Sequence, residues 1–169
     1  ITASQIGDDG DDTIDSGLGD DAVIGGLGDD SIATGEGADW VIGDHGQITL
    51  GSGLTGTPEV LVTQNQGVGG SDTVDSGTGD DIVLAGAGAD SVTTDLGNDI
   101  ILGDDGEITV PSVTGTGTIT SAVLTTGFDD TINAGGDNDI VVGSLGDDQI
   151  DVGEGEDVAA GDDASIIYV

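Results

Sequence analysis

Residues Ser16 to Ala33 read Ser-Gly-Leu-Gly-Asp-Asp-Ala-Val-Ile followed by Gly-Gly-Leu-Gly-Asp-Asp-Ser-Ile-Ala. Two nine-residue units stand end to end, each with Gly at its fourth place, Asp at its sixth and an aliphatic residue at its eighth. Outward from this pair the unit recurs in fixed phase. Four copies run from Gly7 to Ile42, four from Gly67 to Leu102 and four from Thr125 to Ala160. Position six is Asp in all twelve: Asp12, Asp21, Asp30, Asp39, Asp72, Asp81, Asp90, Asp99, Asp130, Asp139, Asp148 and Asp157. Position four is Gly in ten, Phe128 and Asp137 being the exceptions. A unit this short cannot bury its one aliphatic residue alone, so a fixed period implies stacked coils that share a core.

Each block of four ends in a shorter closing unit: Gly43-Asp44-His45-Gly46-Gln47-Ile48, Gly103-Asp104-Asp105-Gly106-Glu107-Ile108 and Gly161-Asp162-Asp163-Ala164-Ser165-Ile166. The closing units begin 60 and then 58 residues apart, so a larger repeat encloses the small one, with super-repeats at about 7–66, 67–124 and 125–169. After the first two closing units the Asp period lapses, near Gly51–Gln66 and Pro111–Leu124. Ile48-Thr49-Leu50 with Val60-Leu61-Val62, and Ile108-Thr109-Val110 with Ile119 to Leu124, are β-branched runs around Gly- and Pro-containing turns, which predicts hairpins. The third hairpin is split: Ile166-Ile167-Tyr168-Val169 reads as its outgoing strand. Ile1 to Ile6 aligns with the returning strand Ile119 to Leu124. His45 takes the place of Asp105 and Asp163 and is expected to be an exposed turn residue.

Composition narrows the functional classes. The 169 residues include 35 Asp and Glu, no Lys or Arg, one His and 34 Gly, for a net charge of −35. With no internal cation such a chain repels itself and becomes compact only by taking up external cations. No basic residue is present to meet a phosphate, which argues against nucleic acid as a partner. No apolar run approaches membrane-spanning length and no signal peptide is visible, and a start at Ile1 is expected of a processed product or an excerpt. No Cys is available for disulfides, so another staple must replace them. The absence of Lys and Arg gives trypsin-like proteases nothing to cut, which suits an extracellular or cell-surface setting.

The spacing points to calcium. Gly at the loop positions lets backbone carbonyls turn inward, and one carboxylate per unit adds charge. Ca²⁺ takes six to eight oxygens and accepts carbonyls and carboxylates together. A set without Cys and with one His argues against zinc, copper or iron–sulfur. One inward aliphatic per nine residues makes a thin core, so metal binding should be coupled to folding. The strict repetition of the Asp pairs argues against an active site, and no enzyme is expected.

These twelve units resemble the RTX (repeats-in-toxin) nonapeptide, Gly-Gly-x-Gly-x-Asp-x-aliphatic-x. The resemblance implies an all-β fold: a right-handed parallel β-roll solenoid over residues 1–169, in three blocks with inserted β-hairpins. It implies bound Ca²⁺ ions between loops n and n+2, which pairs Asp12 with Asp30, Asp21 with Asp39, Asp72 with Asp90, Asp81 with Asp99, Asp130 with Asp148 and Asp139 with Asp157. Asp44, Asp104 and Asp162, at position two of the closing units, are further candidate ligands. The loop Thr125 to Asp130 departs most from the pattern.

Alternate units should face opposite sheets of such a roll. Even units carry apolar outward pairs such as Trp40/Ile42 and Ile82/Leu84, whereas odd units carry polar ones such as Thr73/Asp75. The apolar stripe is expected to be roofed by the hairpins or buried against a neighbouring molecule, which allows lateral self-association. The split hairpin favours a structural subunit or repeat of a filament, surface layer or adhesin, joined head to tail through Ile166 and Tyr168 with Ile1 and Ile6 of the next copy. A calcium-responsive secretion or folding module of a type I secreted toxin or hydrolase is the alternative.

Overall fold

The computed structural model describes residues 2–4, 10–50, 58–110, 116–122 and 127–168. Strands are labelled in chain order. The seventh to ninth residues of each nonapeptide form a three-residue strand. Odd units supply β2 (Thr13–Asp15), β4 (Ser31–Ala33), β8 (Thr73–Asp75), β10 (Ser91–Thr93), β14 (Thr131–Asn133) and β16 (Gln149–Asp151), which make one parallel sheet. Even units supply β3 (Ala22–Ile24), β5 (Trp40–Ile42), β9 (Ile82–Leu84), β11 (Ile100–Leu102), β15 (Ile140–Val142) and β17 (Val158–Ala160), which make a second. The strands are short because the glycine-rich loop returns after every three residues.

Register keeps equal positions stacked. Val23 pairs with Val41, Val41 with Val83, Val83 with Ile101, Ile101 with Val141 and Val141 with Ala159. The step from Val41 to Val83 crosses the first insertion without a break, so the three blocks form one roll. Between the two sheets lie Val23, Ile32, Val41, Val74, Val83, Val92, Ile101, Ile132 and Val141, all buried. Each such side chain contributes about 1.5–3 kcal/mol by leaving water.

The insertions build a third layer. β1 (Thr2–Ser4), β6 (Gly46–Leu50), β7 (Pro58–Thr63), β12 (Gly106–Thr109), β13 (Gly117–Ser121) and β18 (Ser165–Tyr168) form an antiparallel sheet in that order. It packs on the outer face of the even sheet, where Trp40, Ile42, Ile82, Leu84, Leu102 and Val142 meet Ile48, Leu61, Ile108 and Ile119. The apolar stripe is therefore roofed from within the chain, with Val158 at the last coil remaining 48% exposed. The odd sheet turns Thr13, Ser31, Thr73, Ser91, Thr131 and Gln149 to solvent. Among the described residues each of the three sheets has six strands. Since strand spacing is nearly the same in parallel and antiparallel sheets, two roof strands in each of the first two super-repeats, with β18 from the third and β1 from ahead of the first, keep roof and roll in step.

Two details differ from the sequence reading. β1 sets Ala3 opposite Ile48, the place that Leu61 takes opposite Ile108 and Ile119 takes opposite Ile166. Ala3 and not Ile1 therefore corresponds to Ile119, a two-residue shift that preserves which face each residue presents. His45 is buried, 2% exposed, with its Nδ1 at 2.9 Å from Asn65 Nδ2 and its carbonyl accepting the Gln64 N–H. A closing turn that feeds straight into β6 lies under the returning strand, which encloses the imidazole. Of the junction residues, Ile1 and Ile6 lie outside the described residues. Ile166 and Tyr168 pack against the second core of their own chain, and the Tyr168 hydroxyl donates to the Thr109 carbonyl at 3.2 Å.

Candidate metal centre

Six position-six aspartates line each edge of the roll. On one edge the N–H of Asp12 donates to Asp30 Oδ1 at 2.7 Å, Asp30 to Asp72 at 2.8 Å, Asp72 to Asp90 at 2.8 Å, Asp90 to Asp130 at 2.9 Å and Asp130 to Asp148 at 3.0 Å. On the other edge Asp21 donates to Asp39, Asp39 to Asp81 and Asp81 to Asp99 at 2.8 Å each, then Asp99 to Asp139 at 2.9 Å and Asp139 to Asp157 at 3.0 Å. All six expected pairs are brought together. Four more appear across the block boundaries: Asp30–Asp72, Asp39–Asp81, Asp90–Asp130 and Asp99–Asp139. The ladders have one direction, each carboxylate holding the backbone of the preceding coil.

From Asp30 onward each carboxylate uses one oxygen in this way, whereas Asp12 and Asp21, first in their ladders, only donate their N–H. Oδ2 of Asp21, Asp30, Asp39, Asp72, Asp81, Asp90, Asp99, Asp130, Asp139 and Asp148 is buried without a hydrogen-bond partner. A buried, unpaired carboxylate oxygen is costly, and its repetition at ten equivalent places argues for a common external partner. The surroundings suit a hard cation. A Cβ on Gly43 would collide with the Ala85 carbonyl oxygen and with Asp72 Oδ2, and one on Gly103 with Asp130 Oδ2 and, at 2.7 Å, with the Gly143 carbonyl oxygen. Glycine at these places keeps a carboxylate and a carbonyl of neighbouring coils facing one another across a narrow gap. Among the described residues no three His, Cys, Asp or Glu side chains converge on one point. The oxygen set is thus fewer than three carboxylates with backbone carbonyls, which fits Ca²⁺ and not a thiolate- or imidazole-seeking metal.

Electrostatics agree. Burial, reinforced by the neighbouring carboxylates, pushes Asp72 and Asp130 up to about 8 and Asp99 up to about 7. Burial likewise raises Asp30, Asp39, Asp139 and Asp148. No Lys or Arg exists to neutralise them, so at neutral pH Asp72, Asp99 and Asp130 need a proton or a bound cation.

The closing units solve a different problem. The Gly43 N–H donates to the Leu84 carbonyl at 3.0 Å and the Asp44 N–H to the Ala85 carbonyl at 3.2 Å, so these residues sit at loop positions one and two. Asp72, at position six of the same coil, arrives after the hairpin. The odd loop is therefore split in its middle by the insertion. Asp44 spans the split: Oδ1 accepts the Gly70 N–H at 3.1 Å and Oδ2 the Ala87 N–H at 2.5 Å. Asp104 repeats half of this: Oδ2 accepts the Leu145 N–H at 3.1 Å, while Oδ1 is buried and unpartnered. Asp162 is exposed at the last coil. Phe128, in the loop that departs most from the repeat, is 37% exposed, yet Asp130 beside it remains buried in the ladder.

A second ladder at position five escaped the sequence reading. The N–H of Asp29 donates to Asp11 Oδ1 at 3.1 Å, that of Ser71 to Asp29 Oδ1 at 2.8 Å and that of Asp147 to Asp129 Oδ1 at 2.9 Å, all exposed and opposite in direction to the inner ladders. The recurrence of Asp or Asn at position five was its signal. Carboxylates on adjacent positions thus hold a coil from both sides.

The family model for the RTX calcium-binding nonapeptide repeat (4 copies) matches residues 6–41, 24–47, 66–101 and 124–159, more than half of the chain. Repeats of this family bind multiple Ca²⁺ ions, the cation that the orphaned carboxylates and facing carbonyls fit. No curated protein and no solved structure matches the chain.

Proposed function

We propose that this chain, which belongs to the RTX calcium-binding nonapeptide repeat family, is a non-enzymatic extracellular structural protein, a calcium-stabilised subunit or repeat of a filament, surface layer or adhesin. Repeats of this family are typical of secreted bacterial proteins, in keeping with an extracellular or cell-surface place. Subunits join head to tail, β18 of one pairing with β1 of the next. The supporting observation is the order of the antiparallel sheet, in which β1 and β18 lie at opposite edges. β1 pairs with β6 as β7 pairs with β12 and as β13 pairs with β18. β18 is equivalent to β6 and β12, and each of those has a returning strand on its other side. Applying the β12–β13 register to the junction sets Ser165 opposite Ser4 and Ile166 opposite Ala3 of the next copy. A contact of this kind does not close on itself, so it generates an open fibre.

Negative-stain imaging of the purified chain in millimolar calcium, beside a chelated sample, tests this reading. Filaments that depend on calcium are expected. Discrete short rods at all concentrations would overturn head-to-tail assembly and favour the second reading, a calcium-responsive folding module of a secreted toxin or hydrolase. The buried carboxylate oxygens that no protein donor meets support that reading as well, since they make folding conditional on calcium.

A further inference from the structure

The split odd loop occurs twice inside the roll, and each time one carboxylate bridges it. Asp44 takes the N–H of Gly70, fourth in its unit, and of Ala87, third in the next odd unit. Asp104 Oδ2 takes that of Leu145, the place of Ala87 one super-repeat later, while its Oδ1 is buried without a partner. Asp162 is the third member of this series, and it lies exposed. With Gly146, Asp147, Asp148 and Gly161 it lines an open cleft of about 380 Å³ at the end of the roll. Beneath it, a Cβ on Gly143 would meet Asp148 Oδ2 and, at 2.9 Å, the Gly161 carbonyl, so Gly161 and Asp162 already hold positions one and two of a loop.

The residues that would complete this loop are at the opposite end of the molecule. Gly10 stands fourth in its unit and Leu27 third in the next odd unit. Their geometry matches the interior cases: a Cβ on Gly28 would meet the Gly10 carbonyl, as one on Gly88 meets that of Gly70 and one on Gly146 that of Phe128. We infer that Asp162 accepts hydrogen bonds from the backbone N–H groups of Gly10 and Leu27 of a second copy, closing between two molecules the loop that Asp44 and Asp104 close within one. The inference rests on the head-to-tail reading and adds a contact at the edge of the roll, away from β18. It gives the junction a specific acceptor where the shared acidity of two such ends would otherwise push them apart.

The test compares wild type with Asp162→Ala, Asp162→Asn and Glu107→Ala in millimolar calcium, reading the protein concentration at which half the material sediments as polymer. Glu107 is an exposed carboxylate in β12, in the interior of the antiparallel sheet, and controls for loss of charge. Far-UV circular dichroism of the unpolymerised variants checks that each folds. Hydrogen bonds to a charged acceptor are strong enough that losing both should raise the required concentration about tenfold or more for Asp162→Ala. Asp162→Asn, which keeps an acceptor oxygen, should fall between, and Glu107→Ala should match wild type. If Asp162→Ala polymerises as readily as wild type, or more readily because repulsion has dropped, the bridging role is overturned while head-to-tail assembly stands. If wild type itself does not polymerise, both fall together.

Discussion

The backbone N–H of Asp30 donates to Asp72 Oδ1 at 2.8 Å, across 42 residues of chain that include a complete hairpin. This bond shows that the Asp ladder ignores the insertion and that consecutive blocks share one edge. The ladder is also where calcium binding and folding meet, since the other oxygen of Asp72 is buried without a partner. Asp72→Ala should leave the Asp30 N–H unpaired and remove the carboxylate from one cradle. A loss of about 1–3 kcal/mol in calcium-saturated stability and fewer bound ions per chain are expected, measured by denaturant unfolding and by calorimetric titration. An unchanged ion count would remove Asp72 from the ligand set.

Acidity should substitute for calcium. In the metal-free protein, burial pushes Asp44 up to about 9, Asp72 and Asp130 to about 8, and Asp81, Asp90, Asp99 and Asp104 to about 7. These values lie above the usual carboxylate range near 4, so the folded state holds protons that the unfolded chain releases. Their contribution is complete below about pH 4 and is lost as pH rises through about 7 to 9. A chelated sample should gain β-structure on acidification from pH 8 to about pH 5. Calcium affinity should weaken over the same range as protons compete for the same oxygens. A chelated sample that loses structure on acidification would contradict this.

The inner core is thin, and so sensitive. Ile101 is fully buried between the parallel sheets, and Ile101→Ala should cost about 2–5 kcal/mol. Thr73, exposed on the odd sheet, should tolerate Ala with a change of about 0.5 kcal/mol or less. Gly79 has φ +137 and no room for a Cβ beside the Gly37 carbonyl. Gly79→Ala should therefore cost about 1–3 kcal/mol through strain at that loop. Thermal unfolding in saturating calcium ranks the three.

The junction register can be trapped covalently. The chain has no Cys, so a Ser4→Cys, Ser165→Cys double variant has a single disulfide to form. β1 and β18 are at opposite edges of the sheet, which prevents the bond from forming within one molecule. Mild oxidation in calcium should give a ladder of covalent multimers, absent in chelator and from either single variant beyond the dimer.

Most of the architecture was written in the phase of the repeat. Every nonapeptide puts positions seven to nine in a strand because Gly and Asp claim the preceding six for the loop. The parity of outward residues foretold a covered face, and Trp40 and Ile82 are indeed under the roof. Three things needed the third dimension. The cross-block pairs such as Asp39–Asp81 depend on where the chain re-enters after a hairpin, which spacing alone does not state. The bridging of split loops by Asp44 and Asp104 follows from the same re-entry. His45 was misread because a turn residue is buried when the strand after it folds back above it.

Trp40, the single Trp, is 6% exposed between the even sheet and its roof and so reports on both layers at once. The most direct test follows far-UV circular dichroism and Trp40 emission while calcium is titrated into an exhaustively chelated sample at neutral pH. The account predicts a chelated chain with little β-structure and a solvent-exposed Trp40, and calcium restoring strand signal and buried-Trp emission together. A chelated chain that keeps both its β spectrum and its buried Trp40 would contradict it.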